Sequence, residues 1–253
     1  MNLDDITPLI LTYNEQANLR GTLAGLVWAK EIRVVDSGST DDTLQIASEF
    51  PSVVVTHRDF DHFADQCNHG LSQVKTRWVL SLDADYRCDE AFRREIETLD
   101  ETFSGFQARF RYAVYGFPLR AALYPPRIVL YQPALACYER DGHAHRVHIK
   151  GVVGKMATPI IHDDQKPLSH WFASQIKYAN LEVQKLNSVN PSKLGWKDRL
   201  RQWTVFAPVL TLFYCLFAKR LILDGWRGVF YSFQRAFAEM VLSLILIDQR
   251  LRK

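Results

Sequence analysis

Over the first 85 residues, short apolar runs alternate with polar loops and segments of helical period, and this repetition leaves few architectures open. Ile6 to Thr12 is an apolar run closed by Tyr13-Asn14-Glu15, after which Leu19, Leu23, Leu26 and Val27 recur at helical spacing. Ile32 to Val35 begins a second unit. Its turn, Asp36-Ser37-Gly38-Ser39-Thr40-Asp41-Asp42, offers Ser39 or Thr40 as the cap of a following helix. A third run, Val53 to Thr56, precedes a helix around Ala64 to Val74, and Trp78 to Leu82 supplies the next strand. Strands and helices alternating through short loops predict an α/β fold with a mostly parallel central sheet and helices on both faces.

In such a sheet ligands bind in the crevice beyond the carboxyl ends of the strands. Asp83-Ala84-Asp85 ends the apolar strand there, and residues at i and i+2 of a strand leave it on the same side. The pair can hold one divalent cation, because Mg²⁺ and Mn²⁺ usually take one or two protein carboxylates and complete their shells with water and phosphate oxygens. Glu15 and Asp36 also follow strand ends, so the edge is acidic. An acidic edge needs a metal between itself and a phosphate, and leaves Asp36 free to accept hydrogen bonds from a base or ribose. No glycine-rich dinucleotide or Walker loop is present. Taken singly, Glu15 also fits a solvated helix start, and Asp36 a turn or cap.

Four segments in order, Leu11-Thr12-Tyr13-Asn14-Glu15, Val35 to Thr43, Phe63-Ala64-Asp65-Gln66-Cys67-Asn68 and Leu80-Ser81-Leu82-Asp83-Ala84-Asp85, resemble the family-2 glycosyltransferases of GT-A fold. Within that family the chain is most similar to bacterial transferases that extend lipopolysaccharide core, O-antigen or related surface glycans. The resemblance runs over roughly residues 5 to 185. It implies inverting transfer of a sugar from a UDP-sugar donor with Mg²⁺ or Mn²⁺, glucose being the first sugar to try. It also implies a donor site of Thr12, Asn14, Glu15, Asp36, Ser39, Gln66 and Asp83, with the metal on Asp83 and Asp85. A metal there would act as a Lewis acid on the leaving diphosphate, and the acceptor hydroxyl would need a base on the opposite side.

The base is expected in Tyr138-Glu139-Arg140-Asp141-Gly142-His143, with Asp141 first and Glu139 second by chain position in the family. Ile161-His162-Asp163-Asp164-Gln165-Lys166 competes. Here the resemblance gives His162 a metal role; Asp163 or Asp164 is an alternative base, and Lys166 a diphosphate contact. The Gln-x-x-Arg-Trp motif of many relatives is missing, and Tyr86 stands where relatives often carry an acid. His143, His145 and His148 raise a zinc site, against which no Cys or carboxylate lies at a familiar spacing. Arg109, Arg111, Arg120 and Arg127 are candidates for the mouth of an anionic acceptor site, or ordinary salt-bridge partners.

A net charge of +3 and the lack of a long basic run argue against nucleic acid. Four scattered cysteines and an N-terminus without a secretory pattern point to the reducing cytoplasm. Composition shifts after about residue 190, dividing a GT-A domain, 1–190, from a helical C-terminal region, 191–253. In that region Lys193 to Trp203 mixes basic residues with tryptophan, Val205 to Ala218 is apolar but short for a span, and Trp226 to Leu251 has helical rhythm. Together they predict helices lying in a membrane interface, placing the protein peripherally on the inner face of a plasma membrane with a glycolipid or lipid-linked glycan as acceptor. The same helices would also serve to cover the sheet or to form a homo-oligomer. Two other functions fit: transfer to polyprenyl phosphate, and a non-catalytic nucleotide-binding subunit of a glycan-assembly complex.

Overall fold

The computed structural model describes residues 1–141, 144–188 and 204–252. The strands are β1 (Ile6–Thr12), β2 (Ile32–Asp36), β3 (Val53–His57), β4 (Trp78–Asp83), β5 (Tyr86–Arg87), β6 (Gly105–Ala108), β7 (Phe110–Val114), β8 (Phe117–Pro118), β9 (Arg127–Tyr131), β10 (Ala136–Asp141), β11 (Ala144–Ile149), β12 (Val153–Lys155) and β13 (Ile160–His162). The helices of the first half are α1 (Leu19–Ala24), α2 (Thr43–Ser48), α3 (Phe63–Gln73) and α4 (Glu90–Thr98). Seven strands form the main sheet, in the order β12-β6-β9-β4-β1-β2-β3. Strands β4, β1, β2 and β3 are parallel, as the alternation requires. β9 runs antiparallel between β4 and β6, a reversal that periodicity does not disclose. A second sheet, β5-β13-β7-β8, and the hairpin β10-β11 complete the strands.

Strand alternation sorts the core into two layers. Ile6 and Ile10 of β1, with Leu80 and Leu82 of β4, meet Leu19 and Leu23 of α1, Ala47 of α2 and Phe92 and Ile96 of α4. Leu9, Val35 and Val79 face the other way, onto Ala64, Cys67 and Leu71 of α3. α3 can lie so close because Gly70 has no Cβ: one added there would stand 2.6 Å from Leu9 Cδ1. Both faces of the sheet are covered and its strands are nearly continuous in apolar residues, as parallel strands require.

By internal packing the chain falls into two units, Met1–Pro118 with Leu123–Gln165, and Leu119–Ala122 with Lys166–Lys253. In the second, α5 (Leu168–Ser188) packs Ala179, Val183 and Leu186 on Leu242 and Leu246 of α7 (Gly225–Leu251). α6 (Phe206–Phe213) runs into a π-helical turn, Tyr214–Ala218, and packs on α7. A 3₁₀ turn, Leu221–Asp224, leads into α7, and Gly228 lets it approach: a Cβ there would fall 1.8 Å from the Leu221 carbonyl oxygen. The domain boundary expected at 190 and the basic stretch from Lys193 to Trp203 lie outside the described residues. Leu221–Leu251, with a mean hydropathy of 1.3 in its most apolar window, is long and apolar enough to cross a membrane by length and composition, and a third of that window is buried against protein.

Candidate active site

The register of the sheet creates the site. Thr12 lies beside Asp36, and Leu11 beside Asp83, so the loops after β1, β2 and β4 start within one residue row of each other at the carboxyl edge. The first two loops are stitched together. Asp36, 1% exposed, accepts from the hydroxyls of Thr12 (2.8 Å) and Ser39 (2.5 Å) on Oδ1, and from the amides of Gly38 (2.9 Å) and Ser39 (2.8 Å) on Oδ2. Asn14, held at φ 54°, donates its amide to Ser39 Oγ at 2.9 Å and accepts from the Thr40 amide at 2.8 Å. The Glu15 amide donates to Thr43 Oγ1 at 2.7 Å.

These bonds correct one expectation. Asp36 is not free for a base or ribose, because protein donors already serve both of its oxygens; it builds the loop. Gln66 is corrected in the same sense. Its buried amide donates to Ser37 Oγ (2.9 Å) and the Arg58 carbonyl (2.7 Å) and accepts from Arg58 Nη1 (2.9 Å), so it braces the wall. The side chains of Thr12, Asn14 and Ser39 are likewise engaged with the loops.

Asp83 and Asp85 stand among one set of groups, since the charges of both act on Tyr86, Tyr124, Arg127 and His162. β4 ends at Asp83, and Ala84 and Asp85 form the turn into β5. Asp83 leans toward Arg127 of β9, with Oδ2 3.5 Å from Nη1, and that guanidinium lies 4.9 Å from the centre of the Tyr124 ring. Asp85 Oδ2 lies 3.0 Å from His162 Nε2. Asp85 Oδ1 is buried without a hydrogen-bond partner among the described residues, as is His162 Nδ1. Such an orphaned carboxylate oxygen fits a cation. Among the described residues no three His, Cys, Asp or Glu side chains gather as a ready cage, so a metal would need substrate oxygens to complete its shell.

His162 is edged by the rings of Tyr86, Tyr112 and Tyr124, with centroids 5.3, 5.0 and 4.7 Å away. Burial pulls its pKa down, but Asp85, Asp83 and Asp164 outweigh burial and hold it above the ordinary imidazole value. Burial and the Asp83 charge push the Cys67 thiol up to about 12, so it stays protonated.

The acidic segments are placed unequally. Asn68 docks β10 by bonding Tyr138 at both backbone groups (2.9 and 3.0 Å), and the Tyr138 ring enters the core toward Ser81 and Tyr131. Glu139, one residue on, therefore points away from the Ser81 face; it is exposed, with Oε2 3.6 Å from His148 Nε2. Asp141 is the last residue of β10, opposite Ala144. His143 lies outside the described residues. Asp163 is removed as a base: it is 1% exposed and held by Arg87 (3.1 Å), Gln165 (2.9 Å) and the Gly116 amide (3.1 Å). Asp164 is half-buried and accepts from Asn18 at 3.0 Å. Lys166 belongs to the second unit. Sequence reasoning missed Asn18, which stands where a helix cap is expected but makes no capping bond, and gave Arg127 no place beside Asp83.

Carboxylates gathered at the carboxyl edge of this sheet, on the loops after β1, β2 and β4, fit the class that comparison with known proteins defines. The chain belongs to glycosyl transferase family 2, whose match spans residues 9–148, more than half of the 253 residues. It is a glycosyltransferase of GT-A fold. Among its relatives, the lipopolysaccharide core biosynthesis glycosyltransferase LpsC of Rhizobium meliloti is 25% identical over 191 residues, 71% of each chain. An uncharacterized glycosyltransferase of Rickettsia felis is 30% identical over 96 residues, 38% of this chain and 34% of that one. In fold the chain is similar to S. aureus TarS crystallised with UDP-GlcNAc, with a TM-score of 0.51 at 12% identity over 98% of this chain and 91% of that one.

Proposed function

We propose that the protein is an inverting hexosyltransferase that moves a sugar, glucose first among candidates, from a UDP-sugar to a hydroxyl of a lipid-linked or lipopolysaccharide-type glycan. The observation that carries this reading is Asp85: a carboxylate at the carboxyl end of β4, with one oxygen on His162 and the other buried and unmatched. Mg²⁺ or Mn²⁺ bound by Asp85 and His162, with Asp83 beside them, would supply Lewis-acid stabilisation of the leaving diphosphate. The stitched loops after β1 and β2 hold the nucleoside end. Their rigidity matters, because a donor fixed at both ends presents its anomeric carbon to the acceptor in one geometry.

In the transfer the acceptor oxygen bonds to the anomeric carbon as the bond to the diphosphate breaks, and UDP leaves with that electron pair. The hydroxyl proton passes to a carboxylate. Asp141 remains the first choice and Asp164 the second; Glu139 is less suited, since it faces away from the Ser81 side of its strand. Kinship with LpsC favours a lipopolysaccharide-type acceptor. The exposed apolar side chains of α6, the two turns after it and the start of α7, Phe206, Val209, Phe213, Phe217, Leu223 and Trp226, favour work at a bilayer surface.

Calorimetric titration with UDP, in Mn²⁺ and again in EDTA, tests the donor site. Binding that needs the metal and is lost in Asp85→Ala is the expected result. If neither UDP nor any other nucleotide binds, the acidic edge is structural and the reading fails.

A further inference from the structure

Asn18 is 2% exposed and sits immediately before α1, where an Asn normally accepts a hydrogen bond from the first helical turn. Its side chain makes no such bond. Instead Nδ2 donates to Glu15 Oε2 at 2.9 Å and to Asp164 Oδ1 at 3.0 Å, while Oδ1 accepts from the Gln165 amide at 2.8 Å. One buried amide thus ties the loop after β1 to a segment 146 residues further along the chain. That segment is the one carrying His162, and its Asp163 amide donates to the Asp85 carbonyl at 3.0 Å.

We propose that Asn18 is a positioning residue for the transfer reaction: it sets the separation between the loop that holds the nucleoside and the His162 segment that faces the diphosphate. The proposal rests on the donor-site reading above. Its physical basis is that Asn18 draws two carboxylates onto one nitrogen. Glu15 and Asp164 carry like charges, and the amide N–H groups between them offset that repulsion while bonding both segments. An aspartate at 18 has the same size but offers only acceptors, so it would push both segments away.

The test is UDP affinity of the full chain in Mn²⁺, measured with the melting temperature. Asn18→Asp should weaken UDP by about tenfold or more through loss of two charge-assisted bonds and gain of repulsion. Adding Asp164→Asn restores a donor facing an acceptor, and the double variant should regain a large part of the lost affinity; a positioning role is marked by affinity lost and regained at temperatures well below the melting point of every variant, where a merely structural defect would leave affinity unchanged. Wild-type affinity in Asn18→Asp, or no recovery in the double variant, overturns the proposal. Should Asn18→Asp melt far below the parent, the neutral Asn18→Ala replaces it, and unchanged affinity there overturns the proposal equally. Failure of the unaltered protein to bind UDP would instead refute the donor reading beneath it.

Discussion

Replacing Asp36 separates a loop-building carboxylate from a ligand-binding one. Asp36→Ala leaves two backbone amides, Gly38 and Ser39, and two hydroxyls, Thr12 and Ser39, without their acceptor, the Thr12 bond being buried and the other three half-buried. Hydroxyls rotate to new partners, but the amides cannot. For half-buried amides the cost sits at the low end of that for an unsatisfied donor, so the two together cost about 2–3 kcal/mol. Asp36→Asn should behave differently. Its amide can turn so that oxygen accepts from Gly38 and Ser39 while nitrogen donates to the two hydroxyls, leaving chiefly the loss of charge assistance, about 1–2 kcal/mol. In a domain of this size 1 kcal/mol moves the melting point by about 2–4 °C, so the alanine variant should melt about 4–12 °C lower and the asparagine variant only a few degrees lower. Differential scanning calorimetry of both variants, with UDP titration of the asparagine form, is the assay. Equal melting points for the two, or an asparagine variant that is stable yet blind to UDP, would refute the argument, because the second outcome is what direct contact with the nucleotide predicts.

Other expectations follow from the same geometry. Gly25→Ala places a Cβ 2.4 Å from the Cys88 carbonyl oxygen, between backbones that cannot retreat, and should cost about 1–3 kcal/mol in chemical unfolding. Asp141→Asn should lower kcat by about a hundredfold with UDP affinity unchanged if Asp141 takes the acceptor proton, whereas near-normal turnover would point to a phosphate acceptor, which needs no base. Trp226, 87% exposed, and Phe217, 56% exposed, flank Lys219 and Arg220 in the sequence, so the double serine variant should lose flotation with anionic vesicles but keep soluble UDP binding. Unchanged flotation would assign those apolar side chains to a protein contact.

What was legible in the sequence was what is local. The three strand-loop-helix units, the carboxylates at their ends and the apolar faces of β1 and β4 all depend on residues within a few positions of each other, and periodicity reports such relations directly. The use made of each carboxylate was not legible, because it is decided by partners brought in from elsewhere. Asp36 looks like a ligand until Thr12, 24 residues away, is seen to donate to it. Asn18 looks like a cap until Asp164 arrives beside it. The apolar stretch from Ile128 to Tyr138 contains two strands, β9 and β10, separated by a 3₁₀ turn at Pro133–Leu135, and a run of apolar residues cannot say where it folds.

The partners of Asp83 and Asp85 follow from that hidden reversal. The antiparallel strand β9 brings Arg127 against Asp83, while the turn at Ala84 and Asp85 sets the second carboxylate against His162 of β13. The Arg127–Asp83 pair is long and partly exposed, worth no more than about 1 kcal/mol, so stability does not explain it. Its consequence is electrostatic. With Asp83 Oδ2 near Arg127 and Asp85 Oδ2 on His162, the buried Oδ1 of Asp85 has no hydrogen-bond partner among the described residues, so it fits a cation entering with a nucleotide diphosphate. The insertion of β9 between β4 and β6, which looks like a detail of topology, is therefore what brings the Arg127 cation to the acidic pair.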